Sequence, residues 1–185
     1  MAVDTDQLAR DLDALLPQTQ CRRCGFEGCQ PYARAMASGA AKPNRCPPGG
    51  ESTLTALSAA LGRATEPLDP ATGTFGPLYA AVINEDICIG CAKCLPACPV
   101  DAIVGARRYM HTVITQECSG CELCIAPCPV DCIVMVPVTE QSLSVVELQR
   151  RAQHYRRRID SRSQRIENLL KERELQLKSL SESSL

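Results

Sequence analysis

The feature that most constrains this chain is a cysteine pattern that occurs twice. The segment "DICIGCAKCLPACPVDAIV" begins at Asp86, and "QECSGCELCIAPCPVDCIV" begins at Gln116, thirty residues later. Both segments have the spacing C-x2-C-x2-C-x3-C-P, so the four cysteines of one align with the four of the other. Short apolar stretches flank both segments and predict strands that pair around two cysteine loops. The repeat therefore predicts a small domain built from two equivalent halves.

This spacing is typical of bacterial ferredoxins, in which the fourth cysteine of each run binds the cluster of the other run. Three thiolates on one tight loop reach three corners of a cubane, but the loop does not easily wrap around to the fourth corner. The prediction is two [4Fe–4S] clusters, one bound by Cys88, Cys91, Cys94 and Cys128 and the other by Cys118, Cys121, Cys124 and Cys98. The alternative is a pair of four-cysteine zinc sites, but zinc motifs rarely repeat this spacing.

The residues between these cysteines are expected to tune the two clusters. Gly90 and Gly120 allow the backbone to pass close to inorganic sulfide and to aim amides at it. Lys93 lies in the first loop and Glu122 in the second. A nearby cation favours the reduced form of a cluster, and an anion disfavours it. We therefore expect the cluster held by the first loop to be the easier one to reduce.

A third cysteine group precedes the repeat and has the spacing C-x2-C-x4-C-x16-C. Its members are Cys21, Cys24, Cys29 and Cys46. Four such thiolates suit another [4Fe–4S] cluster, but the spacing alone also suits structural zinc or a Cys-x-x-Cys redox pair. The neighbouring double-cluster domain favours a cluster here, because a third centre would extend an electron relay.

The thirteen cysteines are an odd number, which fits poorly with a complete disulfide framework. The N-terminus is acidic and amphipathic, without the basic start and apolar stretch of a secretory signal. No apolar run approaches the roughly 20 residues that cross a bilayer. We therefore expect a cytoplasmic protein with reduced thiols and no transmembrane segment of its own, in which clustered cysteines bind metal or do redox work.

The hydrophobic pattern predicts an α+β protein with two cluster domains. These are an N-terminal [4Fe–4S] domain over 1–62 and a 2[4Fe–4S] ferredoxin-like domain over 79–138, joined by a Pro/Gly-rich linker at 63–78. Residues 139–185 form a C-terminal basic helical tail.

Periodicity and capping residues locate the helices of the N-terminal domain. Asp4 is the predicted cap of a first helix whose core face carries Leu8, Leu12 and Leu15. A second helix follows Cys29, and a third is expected to be capped near Ser52.

Charge is distributed unevenly along the chain. Residues 1–140 hold ten Lys/Arg and fifteen Asp/Glu, a net charge of −5, whereas residues 141–185 hold ten and six, a net charge of +4. A solvated helix is the plain interpretation of the tail, and docking on an acidic partner or coiled-coil pairing are alternatives. Nucleic-acid binding is not expected, because Glu side chains dilute the basic field and aromatics for stacking are few.

Three further residues invite a functional interpretation. Cys132 takes the place that Ala102 has in the first half, so the plain interpretation is a small buried side chain, with ligand exchange or a redox-sensing thiol as alternatives. His111 alternates with apolar residues as in a strand, which favours a structural role. His154 lies in the basic helix and has no predicted role.

The amino-acid sequence from Leu15 to Pro137 resembles that of the B subunits of the Rnf/Rsx ion-translocating electron-transport complexes. The similar segments include "LPQTQCRRCGFEGCQPYARAMA", "NRCPPGG", "CIGCAKCLPACPVDAIVGARRYMHTVI" and "CSGCELCIAPCPVDCI". This resemblance implies three [4Fe–4S] clusters, with the N-terminal one on Cys21, Cys24, Cys29 and Cys46.

The resemblance also implies partners and a place in the cell. Members of this family pass electrons between ferredoxin and NADH inside a complex that moves ions, and they lie on the cytoplasmic face of the inner membrane. The expected partners are the other subunits of such a complex. The family usually begins with a membrane-spanning helix, and the basic helix after Val138 is not a standard part of it. A free soluble ferredoxin-type carrier that serves a cytosolic reductase or regulator is therefore an alternative, as is a zinc-stabilised interaction module.

Overall fold

The computed structural model describes residues 4–138 and 143–182. Residues 1–3 of the predicted N-terminal domain, and 139–142 and 183–185 of the predicted tail, lie outside the described residues. The helices are α1 Thr5–Leu15, α2 Cys29–Ala37, α3 Gly50–Ala60, α4 Cys94–Ala97 and α5 Val145–Glu182, and the strands are β1 Tyr79–Ile83, β2 Ile103–Gly105, β3 His111–Val113 and β4 Ile133–Pro137. This mixture of helices and strands confirms the predicted α+β class.

The first helix begins where the sequence predicts. The Asp4 carboxylate accepts hydrogen bonds from the amides of Asp6 and Gln7, which satisfies two of the free N–H groups at the start of α1. The predicted core face is wrong at its end, because Leu15 is 38% exposed and Leu16 is fully buried instead. Leu16 follows the last helical residue and is extended. The chain therefore leaves the helix there, and the Leu16 side chain points into the core.

The third helix begins earlier than predicted. Residues Pro47–Gly49 form a 3-10 turn that leads directly into α3, and Gly49 is the residue before the helix. The predicted cap Ser52 therefore lies inside the first turn of the helix, where its hydroxyl donates back to the carbonyl of Gly49. Leu54 and Leu57 of α3 are buried in the core of this helical region.

The Pro/Gly-rich segment at 63–78 packs against the N-terminal helices. The Asn44 side-chain amide donates to the carbonyl of Pro67, and the Asn44 carbonyl accepts from the amide of Asp69. Phe75 lies so close to Gly50 that a Cβ there would be 2.8 Å from its ring. Glycine at residue 50 therefore leaves room for the Phe75 ring.

The repeat folds into two short antiparallel sheets. Strand β1 pairs with β4, so that the first and last strands of the domain lie side by side, and β2 pairs with β3 as a hairpin. The strands predicted from the apolar stretches are confirmed. Small side chains such as Ala80, Val100 and Ala102 are buried between the sheets and the cysteine loops. Small side chains at these positions leave more space beside the cysteine sulfurs than larger apolar residues would.

Helix α5 is packed over its first half and exposed over its second. Tyr155 is 3% exposed, and its hydroxyl donates to the carbonyl of Cys118 at 2.9 Å. Arg156 donates to the carboxylate and the carbonyl of Asp13 in α1. The plain interpretation as a solvated tail is therefore wrong for this half. Its basic residues dock on acidic groups of the same chain.

Further arginines of α5 bind the ferredoxin-like domain. Arg158 donates to the carbonyls of Val100 and Asp101, while Arg162 and Arg165 contact the Asp101 carboxylate. The helix thus contacts both cysteine-bearing regions. None of the helices in residues 4–138 and 143–182 combines the length and apolar character needed to cross a bilayer.

Candidate functional site

The first cavity of the ferredoxin-like domain brings together cysteines from both halves of the repeat. Its cysteines are Cys88, Cys91, Cys94, Cys128 and Cys132. Ile83, Ile89, Val130 and Ile133 form most of the remaining wall, with His111 as a polar exception. We call this space the Cys88 cavity.

The second cavity is its counterpart in the other half of the repeat. Its cysteines are Cys98, Cys118, Cys121 and Cys124, and the wall includes Ala81, Ala102 and Val113. We call it the Cys118 cavity. In both cavities three cysteines come from one loop and the predicted fourth ligand comes from the other half, which is the grouping that the ferredoxin spacing predicts. Cys132 is a fifth cysteine in the Cys88 cavity.

The donor chemistry of these cavities fits iron–sulfur clusters. All thirteen cysteines of the chain are free of disulfide bonds, so every thiol can act as a ligand. Within the described residues, no three His, Cys, Asp or Glu side chains converge closely enough to hold a single metal ion. Four sulfurs spread around an apolar cavity suit a cubane, whose corner irons each take one thiolate.

The two loops have the same backbone conformation. Positive φ angles recur at Gly90 and Gly120 (65° and 71°), at Ala92 and Glu122 (61° and 65°), and at Asp101 and Asp131 (50° each). Non-glycine residues rarely adopt this region, and such strain clusters at ligand sites. The halves are therefore equivalent in conformation as well as in sequence.

The structure shows a reason for glycine in the two loops that the sequence did not reveal. A Cβ at Gly90 would lie 2.7 Å from the carbonyl oxygen of Tyr109, and one at Gly120 would lie 2.5 Å from that of Tyr79. Glycine is required because each loop passes against the backbone of a neighbouring strand or turn. The predicted approach to sulfide stays a prediction.

Backbone amides point at cysteine sulfurs in the Cys118 cavity. The amide of Ala81 donates to the Sγ atom of Cys118 at 3.4 Å, and the amide of Ala102 donates to that of Cys98 at 3.2 Å. Burial raises the pKa of the Cys121 thiol to about 11 and that of Cys124 to about 12. Bound iron would have to displace those protons, as is usual for thiolate ligands.

Cys132 is buried, as predicted, and it also lines the Cys88 cavity. Its Sγ atom lies 3.4 Å from that of Cys128. Burial raises the pKa of Cys132 to about 12. Burial also acts to raise the pKa of Cys128, but hydrogen bonds from the nearby amides and from Cys132 outweigh it and lower that pKa.

His111 lies in strand β3, as the alternation predicts, but it faces a cysteine. It is 1% exposed, and its Nδ1 atom is 3.5 Å from the Sγ atom of Cys88. Sequence reasoning missed this contact. Comparison of the two halves could have marked this position. Residue 81, thirty residues before His111, is alanine, so a small residue in one half is replaced by a polar one in the other.

The N-terminal cysteines are held by hydrogen bonds within one segment. The Gln20 side chain accepts from the amide of Cys29 at 3.0 Å. The Tyr32 hydroxyl donates to the carbonyl of Lys42 and accepts from the amide of Arg45, which fixes the chain just before Cys46. Neither contact follows from the cysteine spacing.

The four N-terminal cysteines lie near one another. Burial raises the pKa of Cys29 to about 12 and raises that of Cys46 well above its usual value. The neighbouring cysteines add to both effects, since Cys29, Cys21 and Cys24 all act on Cys46. The predicted third set is thus brought together in a buried place.

The N-terminal site faces the Cys118 cavity. Arg23 pairs with Glu122 at 2.5 Å, and the Ser119 hydroxyl donates to the carbonyl of Thr19 at 3.1 Å. A cavity between the two regions is lined by Cys21 and Arg23 on one side and by Ser119, Gly120 and Glu122 on the other. The Arg23 pairing also offsets the Glu122 charge, which weakens the charge contrast with Lys93 that the sequence suggests.

His154, which has no predicted role, pairs with Glu117 at 2.6 Å. Arg158 contacts the same carboxylate at 3.0 Å. These contacts hold α5 against the residue immediately before Cys118. A basic helix engaged in this way does not present these side chains to an outside partner, which disfavours the zinc-stabilised interaction module.

Two family models match the chain. Residues 81–135 match the model described as "4Fe-4S dicluster domain", and residues 16–48 match the one described as "Putative Fe-S cluster". The first match covers both repeat cavities, and the second covers the four N-terminal cysteines. Iron–sulfur clusters are therefore the cofactors of this chain.

Several curated relatives, each named as the B subunit of an ion-translocating oxidoreductase complex, are similar to this chain. The protein of Thiobacillus denitrificans is 59% identical over 138 residues, which are 75% of this chain and 73% of the relative. That of Azoarcus sp. is 54% identical over 60% of this chain and 61% of the relative. That of Stutzerimonas stutzeri is 59% identical over 60% and 58%. With this identity and coverage, the chain belongs to the family of B subunits of ion-translocating oxidoreductase complexes, which are iron–sulfur electron-transfer proteins.

Proposed function

We propose that this chain relays single electrons through three [4Fe–4S] clusters as the B subunit of an Rnf/Rsx-type complex. The ligand sets are those predicted from the sequence: Cys21, Cys24, Cys29 and Cys46; Cys88, Cys91, Cys94 and Cys128; and Cys98, Cys118, Cys121 and Cys124. The observation that carries the proposal is the pair of repeat cavities, each with cysteines from both halves.

The proposal places the three clusters in a spatial order. The cavity between the two regions shares Ser119 and Glu122 with the Cys118 cavity and shares no lining residue with the Cys88 cavity. The N-terminal cluster therefore lies next to the Cys118 cluster, and the Cys88 cluster is at the other end. Helix α5 supports this order, since it ties Asp13 of α1 and Cys118 of the repeat to one rigid element.

Each part of the chain has a task in electron transfer. When bound, a [4Fe–4S] cluster stores and releases one electron without a change in its covalent bonds, and that is the chemistry it supplies. The thiolates fix its position, and the apolar walls exclude water and limit the reorganisation that a charge change would cause. Amides such as that of Ala81 offset the added negative charge. The chain thus sets distance, insulation and potential.

The complex proposed here couples electron transfer between ferredoxin and NADH to ion translocation. Its other subunits would be the partners of this chain, on the cytoplasmic face of the inner membrane. The support is membership of the B-subunit family and the predicted division into cluster domains over 1–62 and 79–138. The linker at 63–78 and helix α5 then serve to fix the two domains.

Redox titration followed by EPR spectroscopy tests the relay. The full chain, prepared without oxygen, should show three reducible centres, and a Cys24→Ala variant should lose one of them and keep the two of the repeat. A wild-type protein with fewer than three centres after full reconstitution would contradict the proposed number.

Co-sedimentation tests the docking. Membranes from cells that contain the other subunits should retain the chain, and membranes from cells that lack them should not. Full recovery of the chain in the supernatant of both preparations would contradict the proposed role in the complex and favour the free soluble carrier.

A further inference from the structure

The two repeat cavities are equivalent in backbone but not in side chains. With an offset of thirty residues, most lining positions of one cavity correspond to lining positions of the other. Ile83 corresponds to Val113, for example, and both are apolar. Three positions change chemistry: the Cys88 cavity has His111 and Cys132 where the Cys118 cavity has Ala81 and Ala102, and it has Ile89 where the Cys118 cavity has Ser119.

The His111 ring is placed to donate a hydrogen bond to Cys88. Its Nδ1 atom is 3.5 Å from the Cys88 sulfur. Its Nε2 atom is buried and has no hydrogen-bond partner among the described residues. A ligand thiolate accepts hydrogen bonds and donates none, so the ring proton belongs on Nδ1. The unpartnered Nε2 then needs no acceptor, which is the less costly way to bury it.

The Cys132 thiol is placed to donate to Cys128. The two sulfurs are 3.4 Å apart, and Cys132 is 4% exposed. Cys128 is the cysteine that the second half contributes to this cavity. Because a thiolate has no proton to give, the S–H group of Cys132 is the donor of this pair.

The Cys118 cavity has no equivalent side-chain donors at these positions. Ala81 and Ala102 offer only their backbone amides to sulfur. Ser119, which corresponds to Ile89, also lines this cavity, and its single hydroxyl proton is shared between the carbonyl of Thr19, at 3.1 Å, and the Cys121 thiol. Amides near Cys128 serve the Cys88 cavity in the same way. The Cys88 cavity therefore has two side-chain donors to its sulfurs, whereas the Cys118 cavity has one that is shared with a backbone carbonyl.

We propose that His111 and Cys132 are positioning residues that donate hydrogen bonds to Cys88 and Cys128 and raise the reduction potential of the cluster in the Cys88 cavity above that in the Cys118 cavity. Reduction adds one negative charge, and hydrogen bonds to the ligand sulfurs stabilise that charge. The effect is strong in an apolar cavity, where little water competes. This inference rests on the proposed function, because it requires a cluster in each cavity.

The inference makes one repeat cluster the more favourable site for an electron. The Cys88 cluster is at the end away from the N-terminal site, so an electron placed on the repeat would rest there rather than on the central Cys118 cluster. The charge of Glu122 contributes less to this preference than the sequence suggests, since Arg23 offsets it.

The test replaces each donor by the residue at the equivalent position of the other cavity. His111→Ala copies Ala81 and Cys132→Ala copies Ala102, so both side chains are known to fit this backbone. The full chain is prepared without oxygen and titrated with dithionite, and the midpoint potentials of the repeat clusters are followed by EPR. Each variant should lower one midpoint and leave the other unchanged, and the double variant should bring the two closest together.

Two controls separate a hydrogen-bond effect from a packing effect. Val113→Ala removes apolar volume from the Cys118 cavity and should leave the midpoint of the Cys88 cluster where it is. Cys132→Ser keeps a donor and should retain more of the wild-type midpoint than Cys132→Ala. Resonance Raman spectra in deuterated buffer should show an isotope shift of Fe–S(Cys) bands in the wild type that the double variant loses.

The outcomes are distinguishable by iron analysis of the same samples. Full iron with unchanged midpoints in both single variants would overturn the inference and leave the proposed function intact. Loss of about four irons in Cys132→Ala would also overturn it, because Cys132 would then be a ligand. A wild-type repeat that binds no iron would instead overturn the proposed function.

Discussion

The N-terminal cysteine site and the repeat sites form the proposed four-cysteine ligand sets by different routes. The N-terminal site takes all four cysteines from one continuous segment, Cys21 to Cys46, which Gln20 and Tyr32 hold in place. Each repeat cavity takes three cysteines from one loop and the fourth from the other half. A ligand of the N-terminal segment therefore serves a single local site. A shared cysteine of the repeat also ties two halves of a domain together.

The largest effect expected from this difference is on cluster content. Cys46→Ala should remove one cluster, about four irons per chain, and leave the repeat intact. Cys98→Ala should remove more than about four and up to about eight irons, because Cys98 follows the loop of one cluster and is a ligand of the other. Iron analysis and visible absorption of the two variants, prepared side by side, measure the effect. Equal losses would show that the two halves of the repeat do not depend on each other.

The next effect is on the cysteine loops. Gly120→Ala would place a Cβ 2.5 Å from the Tyr79 carbonyl at a φ of +71°. We expect a loss of roughly 1–3 kcal/mol in the free energy of unfolding, since both the close contact and the positive φ oppose a side chain. Gly76→Ala is the matched control, because no atom lies within 4 Å of its Cβ position. Chemical unfolding of both variants measures the difference, and similar stabilities would refute the loop argument.

A smaller effect is expected where α5 joins the two regions. Arg156→Ala leaves the buried Asp13 carboxylate without its ion pair, which should cost about 1–3 kcal/mol in the free energy of unfolding. The unfolding of the N-terminal region should shift most, because Asp13 lies in α1. Lys171→Ala is the control, since its pair with Glu167 is exposed and should contribute less than about 0.5 kcal/mol. Unfolding in urea measures both, and equal stabilities would mean that α5 does not brace the N-terminal region.

The smallest effect is expected at the contact between Arg23 and Glu122. Both side chains are about two-fifths exposed, so Arg23→Gln should change the free energy of unfolding by less than about 1 kcal/mol. It should nevertheless lower the midpoint potential of the Cys118 cluster, because Glu122 would then carry an uncompensated negative charge beside that cavity. Redox titration at low and high salt measures the shift, which should shrink as salt increases. A shift confined to the Cys88 cluster would contradict the proposed order.

Sequence reasoning succeeded where a pattern repeats with a fixed period. The thirty-residue offset predicted the strands of the repeat and the grouping of its cysteines, because both halves follow the same steric rules. The offset could also have revealed His111, since comparison with Ala81 marks the exchange of a small residue for a polar one. The cap at Asp4 was predictable for a different reason. A capping carboxylate binds amides only two and three residues further along, so its effect is local.

Sequence reasoning failed where the outcome depends on contacts between distant segments. The first half of α5 reads as solvent-exposed because its apolar stripe is thin, yet Arg156 and Tyr155 find partners more than thirty residues away. Leu16 takes the place predicted for Leu15 because it follows the last helical residue in an extended conformation, which the periodicity does not indicate. Long-range polar contacts leave no periodic signal, so no pattern search would have found them.

The content of iron, acid-labile sulfide and zinc in the full chain, prepared without oxygen from iron-rich medium, tests the central claim most directly. Three cubanes predict about twelve irons and about twelve sulfides per chain, with zinc absent. A colourless protein that contains only zinc, or one with iron for the repeat alone, would contradict the three-cluster account.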